Sequence, residues 1–109
     1  RHHNGCIIGP ATMEFIGNFQ TDYLVMGIGA ISPEGLLLDY DYEEAMLMDR
    51  MMKNARERIL VTDHTKFEKS ATAQVGHLRD LSYLVTNQKP PSQFCDLIAE
   101  HNVSLVRPD

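Results

Sequence analysis

Cysteine, basic residues and long apolar runs are all scarce in this chain of 109 residues. No apolar run approaches the ~20 residues of a membrane-spanning helix, and no signal peptide is visible, so we expect a cytoplasmic protein without a membrane partner. The two cysteines, Cys6 and Cys95, lack a metal-type spacing to histidine, which indicates two reduced thiols. Fifteen acidic against ten basic residues give a net charge of −5, so this chain is not expected to bind nucleic acid by itself.

The start of the chain suggests that less than a whole domain is present. At this length the chain is one domain at most. Residues 1–4 contain no start methionine and no helix cap, and the apolar segment Cys6–Ile8 follows directly. We therefore interpret residues 1–109 as a domain that lacks its N-terminal part.

Apolar runs alternate with helical patterns along the chain. Short apolar runs predict strands at residues 6–8, 23–26, 59–62, 83–86 and 104–106. Helical patterns follow Pro10, run from Tyr42 to about Arg58, and follow the Pro90–Pro91 pair. This order predicts an α/β fold, a three-layer Rossmann-like and mostly parallel sheet with helices on both faces. The run at 23–26 is continuous, which is typical of a central strand buried on both faces.

Two polar features follow the predicted strands at 23–26 and 59–62. Gly27 and Gly29 would let backbone amide groups approach a ligand, although a tight strand exit explains them equally well. Lys66 follows the second strand, where a lysine can offer a point charge to a phosphate; the alternative is an ordinary surface lysine. Because the carboxyl ends of neighbouring parallel strands open onto one crevice, we expect these residues to converge. Residues 32–35 predict a tight turn.

The predicted long helix places one carboxylate on its apolar side. Asp41 is the expected N-cap, and Met46 points out among the charges. Glu44 lies at the mouth of the apolar stripe, a position that costs free energy unless a partner such as a sugar hydroxyl shares its charge. The alternative is that the helix dipole favours a glutamate in the first turn by ~0.5 kcal/mol, an account that fits Glu43 better.

The remaining polar residues do not form a catalytic or metal-binding pattern. Asp39, Asp41 and Asp63 are predicted loop carboxylates, but no aligned histidine or regular oxygen-ligand loop accompanies them, so capping and turn roles are expected. His64 has no serine or cysteine nucleophile in a motif context. We therefore predict no catalytic residue, no metal site and no cofactor.

The polar segments, taken in order, resemble a known family. Residues Gly27–Ser32, Glu43–Ala45 and Asp63–Phe67 resemble, in sequence and spacing, the effector-sensing domain of the DeoR family of bacterial transcriptional regulators. The resemblance extends to Gly9–Pro10 and Leu78–Leu81, and so covers nearly the whole chain. It implies a fold similar to that of ribose phosphate isomerase, glucosamine phosphate deaminase and coenzyme A transferases.

The resemblance also implies a function, in which a phosphorylated sugar or related metabolite is the effector. The expected ligand-binding residues are Gly27, Gly29, Ala30, Ser32, Asp39, Glu44 and Lys66. Such regulators read operator DNA through a winged helix-turn-helix that this chain does not contain, and they form homo-oligomers, dimers or tetramers. The chain departs from the family pattern at Ala30, Leu38 and Thr65, where glycine, threonine and serine are usual.

Two other functions remain open at this point. An isomerase or deaminase would need a carboxylate just after the glycine turn, and residues 30–32 contain no acid, so we do not expect an enzyme. A pure oligomerisation module, with the methionine-bearing helix face as the contact, is the second alternative.

Overall fold

Seven strands and three helices are present in the computed structural model, which describes residues 10–108. The helices are α1 (Pro10–Gly17), α2 (Tyr42–Lys53) and α3 (Ser92–Glu100). The strands are β1 (Thr21–Met26), β2 (Ala30–Ile31), β3 (Leu36–Asp39), β4 (Ala55–Val61), β5 (Ala73–His77), β6 (Tyr83–Val85) and β7 (Ser104–Val106). The predicted strand Cys6–Ile8 lies outside the described residues.

The larger sheet is parallel throughout, in the order β1-β4-β6-β7. Met26 pairs with Leu60, Leu60 with Leu84, and Leu84 with Leu105, so one row of apolar side chains crosses all four strands. Leu60 and Leu84 in this row are fully buried. The α/β class with a mostly parallel sheet is therefore confirmed.

The helices of the described region cover one face of this sheet. Side chains of α2 and α3, such as Met52 and Phe94, belong to the same buried cluster as Leu24 on β1. The opposite face exposes large apolar side chains, which are Tyr23, Val25, Val61, Tyr83 and Val106. The prediction that residues 23–26 are buried on both faces is wrong for the described residues, because β1 lies at the sheet edge and its buried and exposed positions alternate.

A smaller antiparallel sheet, in the order β2-β3-β5, was not predicted. The turn at residues 32–35 was predicted, and it joins β2 to β3. In this turn the N–H of Gly35 donates to the carbonyl of Ser32 at 2.9 Å. Gly35 has φ +92°, a backbone conformation that side chains with a Cβ rarely adopt. Ile31 of β2 also forms a parallel bridge to Phe67, which ties this sheet to the chain after β4.

Helix α2 ends five residues earlier than predicted. It begins as expected with Asp41 as N-cap, but it stops at Lys53, and the N–H of Asn54 donates to the carbonyl of Met51. The predicted end at Arg58 was wrong because residues 55–58 pair in parallel with residues 21–24 of β1. Ala, Arg and Glu favour helix locally, and this pairing overrides the local preference.

Candidate ligand-binding site

The carboxyl ends of β1, β4 and β6 meet at one edge of the parallel sheet, as the sequence predicted. The glycine segment 27–29 follows β1, the polar segment 62–66 follows β4, and Thr86 and Asn87 follow β6. The N–H of His64 donates to Oδ1 of Asn87 at 2.8 Å, so the second and third of these segments are in direct contact. This edge is the candidate site.

The two glycines of the first segment have different surroundings. Gly27 is exposed, and an added Cβ would meet no atom within 4 Å. Gly29 is buried, and its N–H donates to the carbonyl of Leu38 at 3.0 Å. A Cβ at Gly29 would lie 3.0 Å from the ring of Tyr40 and 3.3 Å from Oδ1 of Asp39. Packing therefore accounts for the glycine at 29, whereas nothing among residues 10–108 requires one at 27.

Two of the predicted site residues are buried in the smaller sheet. Ala30 is fully buried and pairs with Leu38. Ser32 is 8% exposed, and its hydroxyl oxygen accepts a hydrogen bond from the N–H of Leu36 at 3.0 Å, so this hydroxyl stabilises the hairpin turn. A ligand could contact Ala30 only through its backbone, and Ser32 already has a structural role.

Lys66 ends a short 3-10 turn that Asp63 caps. Oδ1 of Asp63 accepts from the N–H and from the hydroxyl of Thr65, and these two hydrogen bonds hold the pKa of the Asp63 carboxyl below its ordinary value. After Lys66, the N–H of Glu68 donates to the carbonyl of Ile31 at 2.9 Å. The turn thus holds half-buried Lys66 beside β2.

Asp39, Asp41 and Glu44 form an acidic group on the other side of β2. Asp41 accepts from the N–H groups of Glu43 and Glu44, at 2.9 and 3.3 Å, and so has the predicted capping role. Asp39 accepts from the N–H of Tyr40 at 2.8 Å. Burial raises the pKa of the Asp39 carboxyl above its ordinary value of 3.8, and the negative charges of Glu44 and Asp41 raise it further.

The raised pKa of Asp39 predicts a stability gain when its charge is removed. The folded protein binds this proton more tightly than the unfolded chain does, so charged Asp39 lowers the free energy of unfolding at neutral pH. We expect Asp39→Asn to raise the Tm of the ligand-free protein at pH 7, because the amide oxygen still accepts from Tyr40. The gain shrinks as pH falls through the folded pKa and vanishes below about pH 3.9, the unfolded value.

Thermal unfolding of this variant between pH 7 and pH 3.5 measures the effect. Asp96→Asn, at an exposed position on α3, removes the same charge and serves as the control, with an expected change in Tm near zero. A Tm for Asp39→Asn at or below that of the parent protein at pH 7 would contradict the prediction.

The structure brings the predicted residues together around β2. On one side β2 pairs with β3, whose last residue is Asp39. On the other side Ile31 of β2 forms a bridge to Phe67, the residue after Lys66. Two strand spacings, roughly 10 Å, therefore separate the backbone near Asp39 from that near Lys66. Gly29 lies beside Asp39, and Gly27 lies at the open end of β1.

Asn87 was missed as a site candidate, and His64, which was considered as a base and set aside, lies at the same edge. Asn87 accepts from the backbone N–H of His64 at 2.8 Å, and its side-chain nitrogen lies 2.9 Å from Nδ1 of the His64 ring. Asn87 follows a strand end in the same way as Asp63 does, so the rule that selected Lys66 could have selected Asn87 too.

The described part of the chain contains neither a cluster of metal ligands nor a membrane-spanning helix. Residues 10–108 contain no group of three or more His, Cys, Asp or Glu side chains arranged to hold a metal ion. Among the same residues, no helix is long and apolar enough to cross a membrane.

Comparison with known proteins identifies the family. Residues 1–88 match the DeoR C-terminal sensor domain. The chain belongs to this family. The sensor domain is 42% identical over 103 residues to the glycerol-3-phosphate regulon repressor of Haemophilus influenzae, a match that covers 94% of this chain and 40% of the relative. It is 36% identical over 108 residues to the transcriptional repressor CsqR of Escherichia coli K12, covering 99% of this chain and 41% of CsqR.

A third relative, the glycerol-3-phosphate regulon repressor of Escherichia coli K12, is 33% identical over 105 residues, which cover 96% of this chain and 42% of the repressor. The sensor domain thus spans about two fifths of the length of these curated relatives. All three are transcriptional repressors by name, so the resemblance predicted from the sequence is confirmed at the level of the family.

Proposed function

We propose that this sensor domain binds a phosphorylated sugar or polyol at the sheet edge and thereby changes the DNA binding of a transcriptional regulator. The observation that carries the proposal is the placement of Lys66 on one side of β2 and of Asp39 and Glu44 on the other. A phosphoryl group requires a cation and hydrogen-bond donors, whereas hydroxyl groups suit carboxylate acceptors. An effector with a phosphate at one end and hydroxyls at the other matches both sides.

The raised pKa of Asp39 also supports a ligand there. A half-buried carboxylate that lies near two others lowers the stability of the empty protein. Perturbed carboxyl groups of this kind are concentrated at functional sites, and hydrogen bonds from sugar hydroxyls would stabilise the charge. The exposed Gly27 leaves room for such a ligand next to the end of β1.

The relatives indicate the class of effector and the way the signal is used. Two of them are named for the glycerol-3-phosphate regulon, which suggests a small phosphorylated polyol for this domain too. We propose that binding biases the packing of subunits, in a cytoplasmic dimer or tetramer, so that DNA-binding domains gain or lose operator affinity. No covalent chemistry is needed, and residues 30–32 supply no acid that could act as a base.

A thermal-shift screen of the full-length regulator tests this proposal. The panel contains sugar phosphates, glycerol 3-phosphate, the corresponding free sugars and glycerol, and inorganic phosphate. We expect Tm to rise with at least one phosphorylated compound, more than with its unphosphorylated form, and the compound to be recovered unchanged. Turnover of the compound would support an isomerase or deaminase instead, and the absence of any shift would favour a pure oligomerisation module.

A further inference from the structure

Asn87 holds the ring of neutral His64 in one tautomer. The backbone N–H of His64 donates to Oδ1 of Asn87 at 2.8 Å, while Nδ2 of Asn87 lies 2.9 Å from Nδ1 of the ring. Because a backbone N–H only donates, the Asn87 atom that faces it is the oxygen, and the other atom is the amide nitrogen. That nitrogen also only donates, so Nδ1 of His64 accepts.

A neutral imidazole whose Nδ1 accepts carries its proton on Nε2. His64 is exposed, and within residues 10–108 its Nε2–H donates to no protein acceptor. Buried Thr86 fixes Asn87 in turn: its hydroxyl lies 3.4 Å from Oδ1, and its N–H donates to the carbonyl of Val106 at 3.0 Å. The sheet edge therefore presents an N–H donor of fixed direction.

Lys66 belongs to the same 3-10 turn as this donor and supplies a positive charge near Asp63. Asp39 and Glu44 lie on the far side of β2 and repel a phosphoryl group from there. Asp63 is close, but its Oδ1 is directed into the turn, where it accepts both hydrogen bonds from Thr65. His64 faces Asn87, which follows β6, and Lys66 comes two residues later in the same 3-10 turn, next to the bridge between Phe67 and Ile31 of β2.

We propose that Nε2–H of His64 donates to the phosphoryl group of the effector, together with Lys66, and that Asn87 is the positioning residue that keeps the proton on Nε2. This inference rests on the proposed function and adds an orientation: the phosphate lies on the β4–β6 side, and the hydroxyls face Asp39 and Glu44. The ligand class is a phosphate monoester of a small polyol.

Calorimetric titration of the full-length regulator with glycerol 3-phosphate, inorganic phosphate and glycerol tests the role of His64. We expect His64→Ala to weaken binding of glycerol 3-phosphate roughly tenfold, the cost of one hydrogen bond to a charged acceptor, and to leave any binding of glycerol unchanged. His64→Gln recovers most of the affinity because its side-chain amide donates. Gln88→Ala, which removes an exposed amide next to Asn87, is the control and binds like the parent protein.

Nitrogen NMR of protein labelled with ¹⁵N-histidine tests the role of Asn87 without any ligand. The ring nitrogens of His64, assigned from their loss in His64→Gln, are expected to show the Nε2–H form in the parent protein. Asn87→Ala is expected to give a mixture of the two neutral forms and a several-fold loss of phosphate affinity, with an unchanged Tm.

The titration tests the role of His64, and the NMR experiment tests the role of Asn87. If the parent protein binds glycerol 3-phosphate and His64→Ala binds it equally well, the role of His64 is overturned while the proposed function stands. If neither phosphate probe binds to the parent protein, this inference is overturned, whereas the proposed function fails only if the sugar phosphates of the thermal-shift panel give no shift either. If the parent ring carries its proton on Nδ1, the positioning role of Asn87 is wrong whatever binds.

Discussion

Replacing Lys66 by alanine is expected to weaken binding of the phosphorylated effector by roughly ten- to a hundredfold and to abolish the response of the regulator to it. The magnitude is that of one charge-assisted hydrogen bond to phosphate, lost from a half-buried position. The free energy of unfolding is expected to change by less than about 0.5 kcal/mol, because the ammonium group makes no ion pair within residues 10–108. Calorimetric titration and urea denaturation measure the two quantities separately.

Lys69→Ala provides the matched control for this result. Lys69 is exposed and lies three residues further along the same segment, so the variant loses the same charge without the position beside β2. We expect its affinity to fall less than twofold, through the weak long-range effect of one surface charge. Equal losses in the two variants would show that the overall charge of the segment, and not Lys66, attracts the phosphate.

Lys66 could be selected from the sequence because its position depends on a local rule. A polar residue that follows a strand in an α/β fold emerges at the carboxyl edge of the sheet, and the strand at 59–62 was visible as an apolar run. The same rule predicted that Gly27 and Lys66 lie at one edge. The capping roles of Asp41 and Asp63 were also predictable, because caps depend on residues within one helical turn.

The smaller sheet could not be predicted in this way. Its central pairing joins β3 to β5, residues that are more than thirty positions apart, with a register shift between Leu37 and Leu38. Short segments such as Ala30–Ile31 carry no periodic pattern that distinguishes a strand from a loop. Ser32, by contrast, was predicted both as a ligand residue and as part of the turn at 32–35, and its hydroxyl has the local turn contact with the N–H of Leu36.

The role of Arg58 could not be predicted either, because Arg58 was assigned to the end of a helix and in fact lies on β4, where it pairs with Leu24 of β1. Its guanidinium group instead donates to three backbone carbonyls: Nε to Asp80, and Nη1 to Met52 at 3.2 Å and to Ala55 at 2.8 Å. These carbonyls belong to the last turn of α2, the start of β4 and the segment before β6. Only the folded chain brings them together, so no local pattern could reveal this role.

Arg58→Met is therefore expected to destabilise the domain by about 3 kcal/mol, the largest effect on stability among these variants. The methionine keeps much of the apolar stem but leaves three partly buried carbonyls without their charged donor. Each lost hydrogen bond of this type costs about 1.5–3 kcal/mol, and relaxation and water offset part of the total. Urea denaturation, followed by circular dichroism, measures the change as a lower midpoint with an unchanged slope.

Arg56→Met separates this network from the loss of a positive charge. Arg56 lies two residues earlier on the same strand and is exposed, so we expect its removal to change the free energy of unfolding by less than about 0.5 kcal/mol. Arg58→Lys keeps the charge, but a single ammonium group cannot reproduce the planar fork that reaches three acceptors, and an intermediate loss is expected. A midpoint for Arg58→Met close to that of Arg56→Met would mean that the three carbonyls are satisfied without the guanidinium group.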